Sequence, residues 1–97
     1  MKFPAFKASI ANAVPPKGLS LALQALWWDA KGDDDKAHEC AQREEDKDGC
    51  RVHAYIHRKE GDSSNAAYWY RRADEKPCTR PPAEEWDALA REFLADA

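Results

Sequence analysis

The chain has 97 residues, 43% hydrophobic and 34% charged, with a formal net charge of −3, enough for one domain with one small core. The acidic balance argues against nucleic acid as a partner and against a polybasic membrane anchor. No apolar run approaches the roughly 18 residues of a membrane span, and Pro4 and Lys7 interrupt any signal-like stretch near the start.

Cys40, Cys50 and Cys78 form an odd set with no paired-cysteine metal pattern. Buried thiols in a reducing cytoplasm are the expectation. Alanine occurs eighteen times and Leu, Ile and Val together only ten, whereas there are four Trp, three Tyr and three Phe. Such a chain fills its core with rings packed against small residues, which suits an all-α domain.

Residues 1–17 contain Pro4, Pro15 and Pro16 and read as an irregular lead-in that lays Phe3 and Phe6 on the domain. Residues 18–97 read as a single helical domain. A first helix runs from Leu19 to Ala30 with apolar residues on all faces, and Gly32 stops it as a C′ glycine. Asp33 caps a polar second helix, Asp34 to about Glu45, with Ala37, Cys40 and Ala41 as its thin apolar stripe. A third helix spans about Gly49 to Glu60 and ends at Gly61. Asp62 caps a fourth, Ser63 to about Ala73. Pro77, Pro81 and Pro82 forbid its continuation. In the fifth, Trp86, Leu89, Ala90, Phe93 and Leu94 fall at i, i+3, i+4, i+7 and i+8, the stripe of an amphipathic helix. The expected core is Ala25, Leu26, Trp28, Ala54, Ile56, Ala66, Tyr70, Trp86, Leu89 and Phe93.

The middle of the chain echoes itself at a spacing of 29: Ala25 with Ala54, Trp28 with His57, Gly32-Asp33 with Gly61-Asp62, and Ala37 with Ala66. A helical hairpin explains the echo. Small residues let two helices approach, a ring fills the gap, and Gly-Asp turns the chain and caps the return helix. The second unit, Ala54, His57, Gly61, Ala66, Tyr70, Ala73 and Pro77, resembles the tetratricopeptide and Sel1-like repeat families. The first unit departs at Ala41 and Glu44, and its period is shorter than the family's. The resemblance implies two stacked antiparallel helical hairpins closed by a C-terminal amphipathic capping helix. It also implies a groove near Asp48, Arg51, Tyr55, Arg58 and Lys59 suited to an acidic peptide. The stretch from His53 to Ala73 is further similar to that of small bacterial proteins, a likeness that implies no activity.

Chemistry concentrates in residues 48–72. His53 and His57 stand four apart on one helix face, close enough to chelate one ion. Cys50 and His57 are roughly 10.5 Å apart along a regular helix axis, so they cannot share that ion. Further donors would come from elsewhere, His38 or Cys40. The bland alternative is a pair of packing histidines against Trp69 or Tyr70. Tyr68, Trp69 and Tyr70 cannot all face one side of a helix. Tyr70 is expected inside, Trp69 at the boundary and Tyr68 exposed.

No serine nucleophile elbow, phosphate loop or dinucleotide fingerprint is present, and no cofactor is called for. The leading expectation is therefore a non-enzymatic protein-interaction or scaffold module, with a protein, an acidic peptide or a second copy of the chain as partner. Its candidate contacts are Arg51, His53, Tyr55, His57, Arg58, Lys59, Tyr68 and Trp69. The alternative is a small-molecule or metal site, catalytic or not, centred on His53 and His57.

Overall fold

The computed structural model describes residues 1–44 and 46–95. They form six α-helices: α1 (Phe3–Ser9), α2 (Leu21–Lys31), α3 (Asp34–Arg43), α4 (Lys47–Lys59), α5 (Ser63–Arg72) and α6 (Pro82–Ala95). No strand occurs among the described residues, and none of their helices is long and apolar enough to cross a membrane. The all-α expectation holds. The second helix's expected end at Glu45 and the last two residues of the expected domain lie outside the described residues.

The helix ends follow the cap chemistry written into the sequence. Ser20 accepts from the Leu23 amide, Asp33 from Lys36, Asp46 from Gly49 and Asp62 from Asn65, each satisfying an amide that has no partner within its own helix. Gly32 closes α2 in the left-handed region at φ +88°, where a side chain would be strained. The first turn of α2 has a second, distant cap. Its Ala22 amide donates to Glu44 Oε2 at 2.9 Å, so the end of α3 is tied to the start of α2.

Helix α2 packs most extensively on α3, and α4 on α5. Helix α6 lies against both α2 and α4, and α1 against α6. The main core gathers Leu23, Leu26, Trp27, Val52, Tyr55, Ile56, Trp86, Leu89 and Phe93 between these elements. A smaller cluster of Ala54, Ala66 and Tyr70 joins α4 to α5.

Two expectations need correction. The lead-in is not wholly irregular, because residues 3–9 are helical. Pro4 stands in the first turn, where its missing N–H costs nothing, and Phe6 is fully buried in a stack on Trp86. Phe3 meets the same ring edge-on, so the two phenylalanines do dock the segment. Second, the buried member of the tryptophan pair is Trp27, not Trp28. Trp27 is fully buried and its Nε1 donates to Ser9 Oγ on α1. Trp28 is half-buried under the Lys36 ammonium. Docking of α1 creates the polar partner that a buried indole needs, which reasoning on α2 alone does not supply.

Candidate metal centre

Helix α4 is the most chemically loaded element, and its two long faces do different work. One face carries Arg51, Tyr55, Arg58 and Lys59. Tyr55 is buried and its hydroxyl donates to Asp29 Oδ2 at 2.8 Å, while Lys59 Nζ meets Asp29 Oδ1 at 2.9 Å. Burial and the Asp29 carboxylate push the Tyr55 phenol well above its ordinary range. Arg58 pairs with Glu85 at 2.8 Å and with the Arg80 carbonyl, and Tyr70 donates to the other Glu85 oxygen at 2.6 Å. Arg51 reaches Glu92 at 2.6 Å. Each of these cations thus faces a carboxylate of its own chain, and Asp29 and Glu85 are buried hubs. The repeat resemblance does not single out either acid. The sequence signal for them was an acid on an otherwise apolar helix face.

The opposite face of α4 carries His53 and His57, and α3 brings His38 against them. One ring nitrogen from each of the three lies within 4.8 Å of the others. The ring centroids are 4.9 to 5.5 Å apart in all three pairings. His53 is 5% exposed and stacks on Trp69 of α5 at 3.9 Å with the planes 16° apart, so helix α5 walls the cluster. Arg72 in turn covers the Trp69 ring at 5.0 Å. Cys40, two residues beyond His38, turns into the main core instead. Cys50 is buried in the first turn of α4. Tyr68 is 45% exposed at the rim and Trp69 half-buried, as their positions on the helix suggest.

The surroundings of His53 favour its neutral imidazole. Burial lowers the His53 pKa from 6.5 to about 4, with His57, His38 and Arg72 adding to the effect. His53 is therefore an uncharged nitrogen donor at neutral pH. His38 Nε2 and His57 Nδ1 are buried and have no hydrogen-bond partner among the described residues. Buried polar atoms left unmatched in this way are costly and uncommon. Both lie near one carboxylate: Glu60 Oε1 is 3.3 Å from His38 Nε2, and Glu60 Oε2 is 3.9 Å from His57 Nδ1.

No protein-family model, curated protein or solved structure matches this chain. Function has to be read from the site itself. Three imidazoles from two helices, a wall of tryptophan and a carboxylate at the rim can hold one ion. In a tetrahedral zinc site with bonds of about 2.0–2.1 Å, ligand atoms stand about 3.3 Å from one another. Rotation of the half-buried His38 and His57 rings would close the remaining gap.

Proposed function

We propose that this protein binds a divalent transition-metal ion through His38, His53 and His57, and that the ion ties α3 to α4. The observation that carries this reading is the convergence of one ring nitrogen from each of His38, His53 and His57 within 4.8 Å, beside two buried nitrogens, His38 Nε2 and His57 Nδ1, that make no hydrogen bond among the described residues. Imidazole donors favour zinc, nickel, copper and iron over magnesium and calcium. Helix α3 buries only Ala37, Cys40 and Ala41, and small domains commonly use a metal where a core is thin.

Native mass spectrometry of the zinc-treated protein provides the test. The expected result is one zinc per chain, lost in His38→Ala and in His57→Ala, both half-buried positions where alanine leaves the core intact. A zinc-free wild-type chain after exposure to a stoichiometric excess would refute the proposal.

A second reading keeps the chain as a protein-interaction module of the helical-repeat kind, possessing a partner surface at Tyr68. What favours it is the exposure of that ring beside Trp69 and Arg72, the aromatic and arginine composition of interface hot spots. Sedimentation velocity tests its homodimer form. A dimer converted to monomer by Tyr68→Ala supports it, and a monomer at all concentrations removes it.

A further inference from the structure

Three histidines leave a tetrahedral ion one position short, and what fills that position decides what the centre can do. A water there leaves an open, potentially hydrolytic site, whereas a fourth side chain closes it. Resting on the metal reading above, we infer that Glu60 is the fourth ligand and that the centre is a closed site with three nitrogen donors and one carboxylate oxygen.

The placement begins in the sequence. His53, His57 and Glu60 stand at i, i+4 and i+7, one stripe of a helix. Glu60 is the C-cap of α4, and its backbone amide is still bonded to the Ile56 carbonyl at 3.1 Å, so its Cα is fixed on that stripe. Its side chain is 44% exposed and stands over the two unpartnered nitrogens. The 3.3 Å separation of Glu60 Oε1 from His38 Nε2 equals the edge of a tetrahedral zinc site, about 3.3 Å.

The neighbouring acid is a poorer candidate. Asp62 Oδ2 also lies 3.9 Å from His57 Nδ1, but both its oxygens are committed to α5. Oδ1 accepts from the Asn65 amide, and Oδ2 accepts from the Asn65 side chain at 2.6 Å. Recruiting Asp62 would uncap a helix, whereas recruiting Glu60 breaks no hydrogen bond to another element among the described residues. One ligating carboxylate lowers the charge of the ion and its ligands from +2 to +1. With no thiolate in the set, the site favours Zn²⁺, Co²⁺ or Ni²⁺ over Cu⁺.

Cobalt(II) absorption spectroscopy tests the assignment, with azide as a probe for an exchangeable position. The wild-type protein should give an intense four-coordinate spectrum that azide does not alter. Glu60→Ala, at an exposed position and checked for helicity by circular dichroism, should bind cobalt at least about tenfold more weakly. Its spectrum should shift on adding azide. Asp62→Asn, which keeps a capping side chain, should retain the wild-type spectrum. Wild-type affinity in Glu60→Ala, or an azide-sensitive wild-type spectrum, would overturn the assignment of Glu60 while leaving the three-histidine site standing. Failure of every form to take up cobalt would overturn both.

Discussion

His53 sets the pH behaviour of the metal-free protein. Its pKa falls from 6.5 to about 4 on folding, so between those values the unfolded chain takes up a proton that the folded chain refuses. Its contribution to stability is complete above pH 6.5, declines as pH falls through the window and is gone below about pH 4. At 1.36 kcal/mol per unit, the loss is about 3 kcal/mol. Urea denaturation with a chelator present should show that decline between pH 7 and pH 4. In His53→Leu the slope over the same interval should be shallower. Asp29 gives a second prediction at this scale. Its buried carboxylate holds both Tyr55 and Lys59. Asp29→Ala strands the buried Tyr55 hydroxyl, while the Lys59 ammonium, 45% exposed, turns to water; it and Tyr55→Phe should each cost about 1–3 kcal/mol, measurable in the same denaturation experiment.

Much of the element layout was legible in the sequence, because caps and helix periods are local signals. Gly32, Asp33, Gly61 and Asp62 marked the turns where they occur, and the Trp86-to-Leu94 stripe is buried as its spacing requires. Long-range consequences were harder to read. The burial of Trp27 depends on Ser9, eighteen residues away, and the helicity of α1 depends on Phe6 finding Trp86. The same holds for the candidate centre. The His53–His57 spacing was visible, but only packing of α3 against α4 brings His38 to them. Gly49 adds a case in which the tertiary fold opposes helix propensity. A Cβ there would meet the Glu44 carbonyl oxygen at 1.9 Å, so the chain leaving α3 passes directly over the first turn of α4. Alanine would add up to about 1 kcal/mol of helix propensity. Gly49→Ala should nevertheless destabilise the protein by about 1–3 kcal/mol through that clash, seen as a lowered thermal midpoint.

At the scale of the whole molecule, two helix pairs, α2 with α3 and α4 with α5, meet across the histidine cluster while α6 braces the other side. An ion at the cluster would bind the folded chain and not the unfolded one, so it would stabilise the fold by mass action. At a hundredfold excess over its dissociation constant zinc contributes about 2.7 kcal/mol, a rise in midpoint of about 10–20 °C for a domain of this size. Differential scanning calorimetry should show that rise for the wild type and none for His38→Ala, which removes the only histidine donor of the cluster on α3.

X-ray absorption at the zinc edge of the loaded protein tests the central claim most directly, because it counts the imidazoles around the ion. Three imidazole nitrogens and one oxygen at about 2.0–2.1 Å, with no protein-bound zinc in His38→Ala, is the predicted result. A shell dominated by sulfur, or by water oxygens with fewer than two imidazoles, would contradict it.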